Sequence, residues 1–139
     1  MSQENVERIR EAYRRVNEGG FAAIVDLIDP GFEMDAPQGV ESSQAHDKEG
    51  LREWFRKMGE IWEELRFDPK EMTDLDDERV LAVAHTWARA SGSRIEISQD
   101  LTHVWTLRDC KVIRLSTYST KAEALEAVGL SEQDAHADS

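Results

Sequence analysis

Three consecutive runs of strand-forming residues, at residues 79–90, 94–107 and 111–120, restrict most strongly how this chain of 139 residues can fold. Short segments rich in turn-forming residues, at 91–93 and 108–110, separate these runs. Connections of this length join antiparallel neighbours. The later half of the chain is therefore predicted to form an antiparallel meander.

Helical patterns precede the meander. Apolar residues at steps of three and four predict a helix from Glu4 to Glu18, which the pair Gly19-Gly20 ends. A short and mostly apolar helix is predicted at residues 21–28. A wider apolar stripe marks a longer helix that begins near Asp47. A stripe of that width needs a broad partner such as a sheet.

The remaining segments are shorter. Residues 32–36 alternate between apolar and acidic side chains, which is typical of a half-buried strand. Residues 37–47 are predicted to form a loop. Residues 67–72 are predicted to form an edge strand, because proline within a strand cannot donate a ladder hydrogen bond. A last short helix is predicted at residues 122–128.

This order of elements indicates an α+β fold, with helices covering one face of a curved antiparallel sheet. A sheet wrapped around helices leaves a cone-shaped cavity, and apolar pockets of this kind usually bind small molecules. The chain length fits one domain at residues 1–130. The acidic tail at residues 131–139 is predicted to be disordered.

Charge and composition argue against several partners. Seventeen Lys and Arg against 29 Asp and Glu give a net charge of -12, which disfavours nucleic acids and anionic membranes. No apolar run is long enough to cross a bilayer, and the first residues lack a signal-peptide pattern. The single cysteine cannot form an internal disulfide. We therefore expect a cytoplasmic protein.

The sequence carries no motif for a metal or a cofactor. The acidic run at residues 74–78 lacks the glycine and the final glutamate of a calcium-binding loop. The spacing of cysteine and histidine does not fit a zinc site, and no glycine-rich phosphate loop is present. We expect neither a metal nor a cofactor.

Four segments carry a resemblance to a known family. They are the first helix with its glycine turn at residues 10–21, the strand at 32–37, the strand and turn at 102–109, and the terminal segment at 118–130. Over residues 4–130 the chain is similar to the SnoaL-like and ketosteroid isomerase-like proteins of the nuclear transport factor 2-like superfamily.

The resemblance implies a function as well as a fold. It implies an acid–base isomerase, cyclase (such as a polyketide cyclase) or dehydratase that acts on an apolar carbonyl compound. A non-catalytic small-ligand-binding or dimerisation module of the same fold is the alternative, because the superfamily contains both kinds of protein. A homodimer is expected, since cyclic dimers are the commonest assembly and the family often pairs through its sheet.

The resemblance also assigns three catalytic positions. The tyrosine of the first helix corresponds to Tyr13, the general base to Asp35, and the residue that stabilises the oxyanion to His103. In the steroid isomerases the last position is an aspartic acid that stays protonated, a known case of an acid held neutral by its apolar site. An imidazole can also donate a hydrogen bond there, and it equally suits proton shuttling.

Strand alternation leaves alternatives open. Asp35 shares a face with Glu33, so it lies outside the cavity if Met34 packs against the helices. His103 lies on a mainly apolar strand face. His85 either pairs with His103 as acid and base or faces the convex side in a dimer contact, and the second placement is favoured.

The substrate-binding wall is predicted from the apolar stripes of the helices and from the strand that carries His103. The candidates are Trp105, Leu101, Trp54, Phe55, Met58 and Val16. Tyr13 has a structural alternative, as a core tyrosine bonded to a backbone carbonyl.

Overall fold

The computed structural model describes residues 2–36, 43–45 and 47–129. The helices in these ranges are α1 (Ser2–Gly19), a 3₁₀ helix (Phe21–Leu27), α2 (Lys48–Ile61) and α3 (Lys121–Ala127). The strands are β1 (Ile28–Ala36), β2 (Ser43–Ala45), β3 (Trp62–Asp74), β4 (Arg79–Ala90), β5 (Glu96–Arg108) and β6 (Lys111–Tyr118). The tail predicted at 131–139 lies outside the described residues, as do residues 37–42 and 46 of the predicted loop.

The strands form one six-stranded sheet in the order β2-β1-β6-β5-β4-β3. The meander of β3 to β6 is antiparallel throughout, which confirms the prediction made for β4 to β6 from their short turns. β1, however, pairs with β6 in parallel, which corrects the expectation of a purely antiparallel sheet. Because α2 and four strands separate β1 from β6 in the chain, no hairpin sets their relative direction. The α+β class and the curved sheet are confirmed.

Two strands are longer than the sequence pattern indicates. β3 begins at Trp62, directly after α2, instead of at Phe67. It is an edge strand, as predicted, and its register shifts between Pro69 and Glu71, where proline interrupts the ladder. β1 begins at Ile28 instead of Phe32, with a register shift against β6 before Glu33.

The helices do not all lie on one face of the sheet. α1 buries Val6, Ile9 and Tyr13 in the main core, which also contains Val80 and Ala82 from alternate positions of β4. Leu81, which lies between those two residues in β4, points to the opposite face of the sheet. There it forms a second core cluster with Val104 of β5 and with Ala124 and Leu125 of α3. α3 therefore covers the outer face, which corrects the prediction that helices occupy a single face.

Helix α2 begins where its sequence signals place it. The side chain of Asp47 accepts a hydrogen bond from the backbone N–H of Gly50 at 2.6 Å, which satisfies one of the free donors of the first turn. The buried residues Leu51 and Trp54 then hold the helix against the main core. This helix supplies one wall of the candidate site.

The turn between β5 and β6 places two non-glycine residues in the left-handed backbone region. Asp109 has φ 53° and Cys110 has φ 68°. Consecutive positive φ values are typical of the tight turns that match the twist of a hairpin, and glycine is favoured at the second position. Aspartate tolerates this conformation better than cysteine does.

Replacing Cys110 with glycine is therefore expected to stabilise the protein. The left-handed conformation costs a non-glycine residue about 1–2 kcal/mol, part of which the greater freedom of glycine in the unfolded chain offsets. We expect a gain of about 0.5–1 kcal/mol, or about 2–3 °C in Tm, measured by thermal unfolding. Cys110→Ala is the control, because it removes the thiol but keeps Cβ. Equal Tm values for the two variants would contradict the strain.

Candidate functional site

A partly enclosed cavity lies between the inner face of the sheet and the helices. Side chains from α1, the 3₁₀ helix, β1, α2, β3, β5 and β6 line it, and nearly all of them are apolar. Three residues bring polar atoms together at this wall: Tyr13, His103 and Trp105. The cavity is thus mainly apolar, and these three residues form a polar cluster on its wall.

The polar group is a hydrogen-bonded network centred on the Tyr13 hydroxyl. Tyr13 Oη lies 2.6 Å from His103 Nδ1. The indole N–H of Trp105 donates to the same oxygen at 3.0 Å. Tyr13 and His103 are only 4% and 2% exposed, so the network is shielded from bulk water. Hydrogen bonds in such surroundings are electrostatically stronger than in water.

Two proton arrangements fit the contact between Tyr13 and His103. In the first, the phenol donates to Nδ1 and the neutral imidazole carries its proton on Nε2. In the second, an imidazolium donates from Nδ1 to the phenol oxygen, and the phenol keeps its proton and donates it to another acceptor. Trp105 donates to the oxygen in both arrangements, because an indole N–H can only donate. The pair can therefore take up a proton without moving its heavy atoms.

The fold brings this network together from distant parts of the chain. Tyr13 belongs to the buried stripe of α1, whereas His103 and Trp105 are two residues apart in β5 and so share its inner face. Ring contacts fix the geometry: Tyr13 meets Trp105 edge-on at a centroid distance of 5.5 Å, and Phe67 meets His103 at 5.9 Å. Such contacts restrict the rotation of the rings.

The cavity is small. The centre of a water molecule can occupy about 40 Å³ of it. A cavity of about 150 Å³ accepts one benzene molecule, so this space is smaller than a ring-sized ligand requires. A ligand of that size therefore needs the side chains of the cavity wall to move apart.

The structure does not bring Asp35 to Tyr13 and His103. Met34 lines the cavity, and Asp35, the next residue of β1, is not among the described residues that do. Successive side chains of a strand point to opposite faces, so the burial of Met34 directs Asp35 away. The expected cluster of a carboxylate, a phenol and an imidazole is reduced to the phenol and the imidazole.

Four of the six predicted wall residues line the cavity: Trp105, Trp54, Phe55 and Val16. Leu101 is buried on the inner face but lies outside the cavity wall. Met58 packs against the main core from a partly buried position, also outside the wall. Both were predicted from a correct face, but distance along the strand or the helix separates them from the cavity.

Sequence reasoning missed several wall residues. Phe32, Met34 and Phe67 all line the cavity. The alternation of Phe32 and Met34 with acidic residues indicates that these two apolar side chains face the core. The family motif instead pointed to Asp35 as the cavity residue of this strand. Phe67 lies on a strand whose face the sequence does not reveal, because Pro69 interrupts its pattern.

His85 lies on the opposite side of the sheet from His103. The two residues occupy opposite parities in β4 and β5, since Ala82 is the partner of His103 in the ladder and Asp100 is the partner of His85. The His85 ring contacts Asp100 at 2.8 Å, and this hydrogen bond holds the pKa of the Asp100 carboxyl below its usual value. His103 is therefore the histidine that faces the cavity, and His85 faces the outer side of the sheet.

Within the described ranges, no group of three or more histidine, cysteine, aspartate or glutamate side chains is placed to hold a metal ion. None of the helices in those ranges has the length and apolar character needed to cross a membrane.

Fold and site together define an α+β protein whose curved sheet and helices enclose an apolar cavity. The chain belongs to the SnoaL-like domain family, whose model matches residues 9–115. That match begins within α1, covers α2 and the strands β1 to β5, and ends within β6. No curated protein sequence matches the chain significantly.

Solved structures share the fold at low sequence identity. An NTF2-like protein of unknown function from Burkholderia pseudomallei is 17% identical with a TM-score of 0.73, over 90% of this chain and 97% of that chain. A protein from Jannaschia that carries the name of a SnoaL-like polyketide cyclase is 16% identical with a TM-score of 0.71, over 91% of each chain.

A third similar structure holds a ligand. It is a protein from Catenulispora acidiphila with a ketosteroid isomerase-like fold, in complex with trimethylamine, at 11% identity and a TM-score of 0.71 over 89% of this chain and 93% of that chain. At these identities the three structures support the fold alone.

Proposed function

We propose that this protein is an acid–base enzyme that moves a proton next to the carbonyl group of a small apolar compound, as an isomerase, cyclase or dehydratase does. The observation that supports it most directly is the short contact between Tyr13 Oη and His103 Nδ1 inside an apolar cavity. A proton-transfer pair at the wall of an apolar cavity is the arrangement that such chemistry needs.

In the proposed reaction, the phenol of Tyr13 is the group that meets the substrate. Its oxygen accepts a proton from the carbon next to the carbonyl, while its own proton passes to His103 Nδ1. The electron pair of the broken C–H bond forms the double bond of an enolate. In an isomerisation the reverse transfer delivers the proton to a different carbon, so the protein ends as it began.

Trp105 and the apolar wall assist this transfer. The indole N–H of Trp105 donates to Tyr13 Oη and stabilises negative charge on that oxygen while the proton moves. The surrounding side chains exclude water, which strengthens the hydrogen bonds and suppresses side reactions. No carboxylate is needed in this scheme, in agreement with the position of Asp35.

The test uses 3-cyclohexen-1-one, a single-ring ketone with an isolated double bond. Proton transfer converts it to the conjugated 2-cyclohexen-1-one, which is followed by ultraviolet absorbance, and exchange of its α-hydrogens in D₂O is followed by NMR. Catalysis of both processes at catalytic protein concentration is expected. A rate no higher than that with an equal concentration of free imidazole and phenol contradicts the proposal.

Asp35→Asn distinguishes this scheme from the one implied by the family resemblance, in which Asp35 is the base. Since the side chain lies off the cavity wall, we expect the rate of α-hydrogen exchange to change less than about threefold, far below the 10²–10⁴-fold effect of losing a general base. Thermal unfolding checks that the variant is folded. A loss of about a hundredfold or more would return the base role to Asp35.

A second candidate function is a non-catalytic ligand-binding module of the same fold. It is favoured by the absence of a carboxylate among the described residues of the cavity wall. Binding of single-ring ketones without any α-hydrogen exchange supports this alternative over the enzyme. The expected homodimer and the cytoplasmic location stay predictions, which sedimentation and cell fractionation can test.

A further inference from the structure

Trp54 carries a polar group that the network described above does not use. Its side chain lies on the cavity wall and is only 5% exposed, and its indole Nε1 has no hydrogen-bond partner within the described part of the chain. Two other buried polar atoms share this condition, Asp74 Oδ1 and Thr86 Oγ1, but neither residue lines the cavity. Trp54 is thus the described residue that combines an unmet hydrogen bond with the cavity wall.

A buried donor without a partner is unfavourable, and native proteins rarely keep one without a reason. Packing holds the ring in place, because Trp54 meets Phe55 edge-on at a centroid distance of 4.7 Å and packs in the main core. An indole N–H can only donate, so the missing partner is a hydrogen-bond acceptor. A carbonyl oxygen in the cavity meets that requirement.

We propose that the N–H of Trp54 binds the carbonyl oxygen of the ligand. This inference rests on the proposed function, which it completes: Tyr13 and His103 exchange the proton, and Trp54 holds the oxygen that becomes negative when the enolate forms. A donor placed at that oxygen stabilises the developing charge. The ligand class is therefore a ring-sized compound with an acceptor oxygen.

Two phenols of matched shape test this proposal by titration calorimetry. 4-Hydroxyacetophenone carries a carbonyl acceptor, and 4-isopropylphenol replaces that oxygen with a methyl group, so any effect common to both cancels in the ratio of their Kd values. Trp54→Phe is expected to reduce the preference for 4-hydroxyacetophenone by about three- to tenfold, the range for one neutral hydrogen bond. Trp62→Phe is the matched control, since Trp62 is half-buried and outside the cavity wall, and should leave the ratio unchanged.

The indole N–H signal of Trp54 in a ¹H–¹⁵N spectrum of the unaltered protein gives a readout that does not depend on a variant folding. Saturation with 4-hydroxyacetophenone should shift its proton downfield, and 4-isopropylphenol should not. An unchanged Kd ratio in a folded Trp54→Phe protein, or the same signal with both phenols, overturns the proposal. If neither phenol binds, the ligand site and this inference both fail. If the ratio changes but α-hydrogen exchange is absent, the enzyme proposal alone fails.

Discussion

Replacing His103 with glutamine is expected to lower the rate of α-hydrogen exchange by about 10²–10⁴-fold, the usual contribution of a general acid–base group. The glutamine carbonyl can still accept the hydrogen bond of the Tyr13 phenol, but it cannot take up the proton. The variant thus keeps a hydrogen bond in place of the 2.6 Å contact between Tyr13 and residue 103, but it loses the proton-transfer step. NMR in D₂O with 3-cyclohexen-1-one measures the effect.

The matched control for this variant is His85→Gln. His85 lies on the outer face of the sheet, bonded to Asp100, and away from the cavity. Its replacement should leave the exchange rate within about twofold of the unaltered protein, since surface changes away from a site are nearly neutral. Retention of full activity by a folded His103→Gln protein would remove the imidazole from the reaction.

Replacing Tyr13 with phenylalanine should have the second large effect, on stability and on rate together. The change removes the hydroxyl to which two buried groups are hydrogen-bonded, His103 Nδ1 and Trp105 Nε1. A buried polar group left unsatisfied costs about 1–3 kcal/mol, so we expect a loss of at least about 1 kcal/mol in the free energy of unfolding. The exchange rate should fall about a hundredfold or more, as it does when an active-site hydrogen-bonding group is removed.

Tyr118→Phe provides the comparison for this variant, because Tyr118 is partly buried against the outer cluster of Leu81 and α3.

A double-mutant cycle of Tyr13→Phe with Trp105→Phe should be non-additive by about 0.5 kcal/mol or more, since the two residues share one hydrogen bond. Additive effects on the free energy of unfolding, measured by urea denaturation, would mean that the network does not act as a unit.

Much of the fold follows from local patterns. The stripe of α1, the capping aspartate of α2 and the hairpin turns of the meander each depend on neighbours within a few residues. Interactions of this range are encoded in periodicity and turn chemistry, so they are visible in one sequence. The resemblance to the SnoaL-like family placed the same elements in the same order.

The candidate site was only partly predictable. His103 and Trp105 were correctly placed on the inner face by alternation along β5. Asp35 was assigned from the family motif, although the alternation of β1 pointed the other way. The family motif and the strand alternation disagreed at Asp35, and the alternation gave the observed face, because burial of apolar side chains such as Met34 sets which face of a strand packs in the core.

The sequence by itself determined the elements, the turns and the apolar faces, because these depend on contacts that are short along the chain. Only the tertiary structure decided that β1 runs parallel to β6, that α3 covers the outer face, and that Tyr13, His103 and Trp105 share one oxygen. Those features join residues as many as 92 positions apart. Their geometry depends on how complete layers pack, which no local pattern records.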